Sequence, residues 1–270
     1  MRQRYDLATA AHDHEHGHRR SRCSVLVCTM RRCGSTLLGE ALFRAGLGCP
    51  VEYFHPVWRP DFEARWRATE LGDYLEALYR YRTAADGTLG VKLFWPDVLE
   101  TLHRWSPAAA AHVAGGARVH AEVDALFRDL FPNPSVVFLW RQDLLRQAVS
   151  DLVAHQSGRW REIPDGAAEP RPHPSYDRQR IDRVRSQFGY ELRRWRECLE
   201  QLRLPVVELV YEELARDYGG AVRRVLRALL GDGWDGEVPL PRLRRQADAA
   251  SERLLLRYLH ERRGEPAAAR

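Results

Sequence analysis

Four short apolar runs, rich in β-branched and aromatic residues, constrain the fold of this chain more than any other feature. They are residues 24–29, 89–94, 135–140 and 205–210. Near-continuous apolar runs of this length are typical of strands that are buried on both faces of a parallel sheet. We therefore predict four buried parallel strands.

Helical patterns separate these runs. They cover residues 35–45, 61–83, 96–105, 121–131, 144–157, 176–203, 211–230 and 246–263. Strands that alternate with helices predict an α/β fold, in which helices flank a central parallel sheet. The 270 residues suit one domain, which we assign to residues 23–264.

The two termini and one internal segment lack this pattern. Residues 1–22 are rich in His and Arg and are predicted to be a disordered tail, as are residues 265–270. Alternating histidines can bind metal, but a solvated tail explains them better. Residues 159–174 hold four prolines and one glycine, so we predict a surface loop there that acts as a lid over a substrate pocket, with Gln156 and Trp160 leading into it.

Composition narrows the class of protein. The net charge is +5, but basic and acidic residues are interleaved, which favours a mixed-charge surface and a small polyanionic ligand over nucleic acid. No stretch reaches the roughly 20 apolar residues of a membrane span, and the first twenty residues are polar. The five cysteines fit neither a disulfide framework nor a zinc site. We expect a cytoplasmic protein with reduced thiols.

The turn after the first predicted strand has the features of an anion site. Gly34 allows close backbone approach, Ser35 and Thr36 place hydroxyls at the start of a helix, and Arg32 adds a cation. A nucleoside-triphosphate P-loop would need a glycine at Thr29 and a lysine at Ser35. The turn therefore suits a single phosphate that carries a smaller group, although an ordinary helix cap is the alternative.

A second candidate anion site follows the third strand. Arg141 comes directly after it, at the edge where open α/β sheets bind ligands, and Ser150 falls about two helical turns later. A forked guanidinium binds phosphate strongly. Taken alone, Arg141 fits a salt bridge to Asp143 equally well.

Together these motifs resemble the bacterial trehalose 2-sulfotransferase-like family of sulfotransferases, whose sulfuryl donor is 3′-phosphoadenosine 5′-phosphosulfate (PAPS). The matching segments are RRCGSTLL (31–38), GCPVEYF (48–54), GVKLFW (90–95), WRQDLLRQAVS (140–150), HQSGRWR (155–161), LVYEEL (209–214) and RQADAAS (245–251). Each motif is weak alone, but their order and spacing are specific. Arg31 and Cys33 depart from the family's usual Pro-Arg-Ser-Gly-Ser-Thr.

The resemblance implies a P-loop-like three-layer fold and PAPS as the co-substrate, with no metal. The residues that it implies for binding PAPS are Arg32, Cys33, Gly34, Ser35, Thr36, Arg141, Ser150, Arg245 and Gln246. Arg245 and Gln246 fit a polar helix start nearly as well. Arg32 and Lys92, the only lysine of the chain, are expected to flank the transferring sulfuryl group. A homodimer is compatible with the resemblance.

Glu52 is the candidate general base. Many sulfotransferases have a histidine just after the second-strand lysine, but Leu93, Phe94 and Trp95 follow Lys92 here. The matching position of the family carries a catalytic glutamate. Among apolar neighbours a carboxylate is poorly solvated, which suits it to exchange a proton near neutral pH. His55 is the second candidate.

The motifs and the resemblance together rank three functions, from the most to the least favoured. We expect transfer to a carbohydrate hydroxyl, of trehalose or a related glycan or glycolipid, with a hydroxylated natural product as the alternative acceptor. A small-molecule kinase is disfavoured because the P-loop lysine is missing. A catalytically silent nucleotide-binding protein is disfavoured because Arg32, Lys92 and Glu52 are all present.

Overall fold

Within the residues that the computed structural model describes, four strands form one parallel sheet. Those residues are 6–15, 18–114, 119–160, 174–243 and 249–263. The strands are β1 (Cys23–Thr29), β2 (Thr88–Phe94), β3 (Pro134–Trp140) and β4 (Val206–Val210), in the spatial order β2-β1-β3-β4. All three pairings are parallel. The predicted strands and the α/β fold class are confirmed.

The register of the sheet brings the carboxyl ends of three strands level. Thr29 at the end of β1 pairs with Phe94 on β2 and with Leu139 on β3. From β1 the chain first moves to one side to form β2 and then crosses to the other side to form β3. Open α/β sheets bind ligands at such a switch point, so the loops after β1 and β3 are placed for binding.

Helices flank the sheet in two groups. They are α1 (Ser35–Arg44), α2 (Arg59–Trp66), α3 (Leu71–Arg82), α4 (Trp95–Trp105), α5 (Pro107–Ala114), α6 (Val119–Leu130), α7 (Leu144–Ser157), α8 (Arg178–Leu199), α9 (Tyr211–Arg216), α10 (Tyr218–Leu230) and α11 (Ala249–Arg263). Helices α4, α6 and α8 contact one another, and α7 packs between α8 and α11. Helix α1 packs on α10 and on β1 and β2. Layers of this kind bury both faces of the central strands.

The single helix predicted for residues 61–83 is wrong, because the chain breaks it into α2 and α3. Arg67 ends α2 in the left-handed conformation, with φ at 54°. The backbone N–H of Ala68 then donates to the carbonyl of Glu63, as in a helix C-cap. The aromatic spacing continues through the break, so periodicity alone did not reveal it.

Two predictions near the fourth strand also need correction. Strand β4 lies at the edge of the sheet and is mostly solvent-accessible, with Val206 exposed, so it is not buried on both faces. The helix predicted for residues 211–230 is interrupted at Asp217, whose carboxylate accepts the N–H of Gly220 and caps α10. A side chain that caps a helix favours a new helix start over continuation.

The described part of the predicted disordered tail is packed against the body of the protein. Residues 6–8 and 10–12 form short 3-10 turns, and Leu7 is buried. The His12 ring contacts Phe43 edge-on. Burial of Leu7 and the contacts of Asp13 described below replace the disorder that composition suggested. Residues 265–270 lie outside the described residues.

Candidate active site

The anion turn follows β1 and contains two left-handed residues. Arg32 has φ 66° and Gly34 has φ 80°, and α1 begins at Ser35. A Cβ atom on Gly34 would lie 3.0 Å from the ring of Tyr211, which follows β4. Glycine is therefore required here both by the backbone conformation and by this close approach. The turn presents the first N–H groups of α1 to an anion.

Arg32 is held over this turn by two hydrogen bonds. Its Nε donates to Ser150 Oγ at 3.0 Å, and its Nη1 donates to the backbone carbonyl of Trp160 at 2.7 Å. Burial lowers the pKa of Arg32 to about 10, the nearby Asp151 carboxylate opposes this, and the cation of Arg141 lowers it further. Arg32 still carries its charge at neutral pH. The predicted residues Arg32 and Ser150 are thus in direct contact.

Arg141 occupies the carboxyl end of β3, as predicted. Its side chain is 8% exposed, its guanidinium stacks 4.5 Å from the Tyr211 ring centroid, and its Nε lies 3.7 Å from the Glu212 carboxylate. That Nε is buried, and none of the residues that the structure describes gives it a hydrogen-bond partner. The alternative salt bridge to Asp143 is not formed, since Asp143 caps α7 and pairs with Arg146. A buried donor of this kind is available to a bound anion.

A cavity of about 280 Å³ connects the anion turn, Arg141 and the start of α11. Residues on its walls include Arg32, Gly34, Ser35, Thr36, Arg141, Arg146, Ser150, Trp160, Tyr211, Tyr218, Ser251 and Glu252. Sequence reasoning missed Arg146, Tyr211 and Glu252. Tyr211 could have been found, because it comes directly after a strand. The candidates Arg245 and Gln246 lie outside the described residues.

Lys92 and Glu52 form an ion pair beside β2. Lys92 Nζ lies 2.9 Å from Glu52 Oε1, and the Lys92 side chain is 1% exposed against 19% for Glu52. The loop before Glu52 runs along β2: the Lys92 N–H donates to the Val51 carbonyl at 3.0 Å. A Cβ on Gly48 would lie 2.2 Å from the Gly90 nitrogen, so only glycine allows this crossing.

The surroundings of this pair contain a second carboxyl group and the alternative base. Burial raises the pKa of Asp97 well above its usual value; a hydrogen bond from Phe94 opposes the shift, and the charge of Glu52 adds to it. His55 lies three residues after Glu52, and its Nδ1 accepts the backbone N–H of Val57 at 3.1 Å. The structure therefore brings Glu52, rather than His55, into the ion pair with Lys92.

A second cavity, of about 120 Å³, opens beside Glu52. It is lined by Ala8, Val51, Glu52, Trp58, Asp61, Phe62 and Arg65. Its polar groups are two carboxylates and one guanidinium, set against aromatic side chains. Pockets with an apolar lining and a few placed polar groups are typical of small-molecule sites.

Comparison with known proteins gives the family. A model of the Stf0 sulphotransferase family matches residues 24–261. The chain belongs to the Stf0 sulphotransferase family. It is accordingly a sulfotransferase, an enzyme that transfers a sulfuryl group.

Two relatives of this sulfotransferase carry the name trehalose 2-sulfotransferase. The protein of Mycolicibacterium smegmatis is 28% identical over 86% of this chain and 93% of its own length. That of Mycobacterium tuberculosis is 26% identical over 87% of this chain and 94% of its own length. The sulfotransferase domain of the Synechococcus PCC 7002 olefin synthase aligns with 95% of this chain and 93% of its own, at 17% identity and a TM-score of 0.37.

The two departures of this sulfotransferase from the family's turn motif have local reasons. The Arg31 Nε lies 3.2 Å from Asp151, whose side chain is fully buried, so the arginine neutralises a carboxylate in the core. Cys33 is buried, accepts from Gln147 Nε2 at 3.2 Å, and has its pKa raised to about 12 by burial. Gln147 also donates to the Arg31 carbonyl at 2.6 Å. Both residues thus brace the turn, and Cys33 is a neutral thiol.

The ends of the predicted lid are anchored, whereas residues 161–173 lie outside the described residues. Gln156 on α7 exchanges hydrogen bonds with Ser175: its Oε1 accepts the Ser175 N–H at 2.8 Å and its Nε2 donates to the Ser175 carbonyl at 3.0 Å. Trp160 lines the first cavity. That the loop acts as a lid over the acceptor pocket stays a prediction.

Within the described ranges, no helix is long and apolar enough to cross a membrane. The same residues contain no group of three or more His, Cys, Asp or Glu side chains that could hold a metal ion. The cytoplasmic location and the homodimer stay predictions.

Proposed function

We propose that this sulfotransferase transfers a sulfuryl group from PAPS to a hydroxyl of a carbohydrate, namely trehalose or a related glycan or glycolipid. The observation that carries the proposal is the 2.9 Å ion pair of Lys92 and Glu52, whose carboxylate also lines the second cavity. A base and a cation are thereby held together beside a pocket for the acceptor. The names of the two mycobacterial relatives support a carbohydrate acceptor.

The first cavity has the chemistry that PAPS requires. Three guanidinium groups, of Arg32, Arg141 and Arg146, line it together with the hydroxyls of Ser35 and Ser150, among others. The buried Arg141 Nε would gain its missing acceptor from a phosphate oxygen. We assign the anion turn to the 5′-phosphosulfate end, and Arg141 with Ser150 to the 3′-phosphate.

In the reaction that we propose, Glu52 accepts the proton of the acceptor hydroxyl. Lys92 Nζ lies 2.9 Å from this carboxylate, and the ion pair holds the carboxylate in place beside the second cavity. The acceptor oxygen then bonds to sulfur in line with the bridging S–O bond, which breaks. Lys92 and Arg32 offset the negative charge that develops on the bridging oxygen. The products are a sulfate ester and adenosine 3′,5′-bisphosphate.

A transfer assay with ³⁵S-labelled PAPS tests the proposed donor and acceptor class together. We expect label on trehalose or a related glycan, with the product identified by mass spectrometry. Calorimetry with adenosine 3′,5′-bisphosphate and with ATP provides the donor control, and we expect the bisphosphate to bind more tightly. If only a hydroxylated natural product is labelled, the proposed acceptor class is wrong. If ATP binds more tightly than the bisphosphate, the proposed donor is wrong.

Substitution of the base tests the mechanism. Glu52→Gln keeps the size of the side chain but removes the base, so kcat should fall by about 10²–10⁴-fold while adenosine 3′,5′-bisphosphate still binds. His55→Ala is the matched variant, and its kcat should stay within a few-fold of wild type. The reverse pattern would make His55 the base.

A further inference from the structure

A buried arginine fixes the chain next to the second cavity. Arg82 on α3 is 2% exposed, and its guanidinium donates to the Leu7 carbonyl at 2.6 Å and to the Thr9 carbonyl at 3.0 Å. Its Nη2 also lies 2.8 Å from Asp13 Oδ1. Because an unpaired charge in this aromatic environment would be costly, the N-terminal carbonyls and Asp13 are the partners that make its burial possible.

A second arginine holds the residue between those two carbonyls. Arg65 on α2 donates from Nη1 to the Ala8 carbonyl at 3.1 Å, and its Nε lies 3.1 Å from Asp13 Oδ2. Trp66 Nε1 donates to the same carboxylate oxygen at 3.2 Å. Three consecutive carbonyls, of residues 7, 8 and 9, are therefore each bound by a guanidinium. We call residues 7–13 the clamped segment.

The clamped segment contributes one residue, Ala8, to the wall of the second cavity. Ala8 lines the cavity together with Arg65 and with the candidate base Glu52. At about 120 Å³ the cavity is small beside the roughly 300–1,000 Å³ of ordinary ligand pockets, so it suits one part of an acceptor. A wall whose backbone is bound on both sides of Ala8 cannot readily move to admit a larger group.

We infer that Ala8, held in place by the clamped segment, forms a wall of the acceptor site and determines which carbohydrates reach Glu52. This inference rests on the proposed function, because it takes the second cavity as the place where the acceptor hydroxyl meets its base. The side chain of Ala8 touches no part of the first cavity, so its size should affect the acceptor and leave the nucleotide unaffected.

The test enlarges the side chain at this wall. With PAPS as donor, Ala8→Leu should lower kcat/KM for trehalose by about 10–200-fold, the effect of misfitting a methylene or more in a pocket. The decrease in kcat/KM should be smaller for glucose, which is a smaller acceptor. Affinity for adenosine 3′,5′-bisphosphate should be unchanged. The matched control is Ala11→Leu, on the same segment but exposed, which should behave as wild type.

A second variant keeps the test decisive if Ala8→Leu does not fold. Ala8→Gly removes one methyl group, and it should shift the ratio of kcat/KM values towards carbohydrates larger than trehalose. The inference would be overturned if kcat/KM fell equally in Ala8→Leu and Ala11→Leu, or if Ala8→Gly left the ratio of kcat/KM values unchanged. A parallel loss of affinity for adenosine 3′,5′-bisphosphate would also overturn it. If the wild-type enzyme labels no carbohydrate, the proposed function itself fails before any variant is compared.

Discussion

The two cavities of this sulfotransferase are built in different ways. The larger one, about 280 Å³, includes residues at or shortly after the ends of strands, such as Arg32 after β1, Arg141 after β3 and Tyr211 after β4. The smaller one, about 120 Å³, combines the loop between α1 and α2, helix α2 and the N-terminal segment. Sheet topology brings together the strand-end residues of the first, whereas contacts between segments distant in the sequence create the second.

The two cavities also differ in the charges of the side chains that line them. Three arginines line the first cavity, with Glu252 as an acidic neighbour, and two carboxylates with one arginine line the second. A cluster of guanidinium groups suits a polyanionic donor, while mixed polar groups beside aromatic rings suit a neutral, hydroxyl-rich acceptor. This division leads to three predictions about nucleotide binding and turnover, and the buried Asp97 near the Lys92–Glu52 pair leads to a fourth, about stability.

The largest effect is expected for Arg141→Ala on the nucleotide side. Its buried guanidinium stacks on Tyr211, so removing it should cost about 2–5 kcal/mol of affinity for adenosine 3′,5′-bisphosphate, measured by calorimetry. Arg80→Ala removes an exposed arginine paired with Glu15 and serves as the control. Unchanged binding in Arg141→Ala would show that the 3′-phosphate lies elsewhere.

Lys92→Met should separate turnover from binding. Lys92 sits beside Glu52 rather than on the walls of the first cavity, so kcat should fall by about 10²–10³-fold with little change in nucleotide affinity. Steady-state kinetics and calorimetry on the same preparation measure both. Turnover within a few-fold of wild type would exclude Lys92 from the reaction.

Asp97→Asn should change how stability depends on pH. Burial raises the pKa of Asp97 in the folded protein, so the folded state holds this proton more tightly than the unfolded state does. The resulting stabilisation is complete below the unfolded pKa of about 4 and is lost as pH rises toward the folded pKa, by at most about 1.4 kcal/mol per pH unit.

Urea unfolding from pH 4 to 7 measures this effect in both proteins. The free energy of unfolding of Asp97→Asn, relative to wild type, should rise across that range. Asparagine can still accept the Phe94 N–H that Asp97 accepts, so the start of α4 should be retained. Parallel pH profiles would mean that Asp97 is ionised in the folded protein.

The smallest effect is expected for Glu252→Gln. The Glu252 carboxylate pairs with Arg146 inside the first cavity, where it repels phosphate. Neutralising it should tighten binding of adenosine 3′,5′-bisphosphate by about fivefold, or roughly 1 kcal/mol, and less at high salt. Glu261→Gln, on the same helix but paired with Arg257, should leave binding as it is. Weaker binding in Glu252→Gln would mean that the pair orders the cavity instead.

The sequence by itself determined the sheet and several residues of the first cavity. Apolar runs marked all four strands, and burial on both faces explains those of β1, β2 and β3, whereas β4 is a partly exposed edge strand. Arg141 could be placed at the binding edge because it directly follows such a run, and Gly34 because it lies in the short turn after the first run. Glu52 and Lys92 came from the family resemblance, and their 2.9 Å contact agrees with a shared site.

Only the tertiary structure decided the helix breaks and the acceptor side. The break after α2 depends on one left-handed residue, Arg67, which periodicity does not reveal. The N-terminal segment reads as a disordered tail, because its low apolar content conceals that Arg65 and Arg82 need its carbonyls and Asp13 as partners. Such partners are more than fifty residues apart in the chain, and local sequence carries no signal of contacts that form only when the fold brings them together.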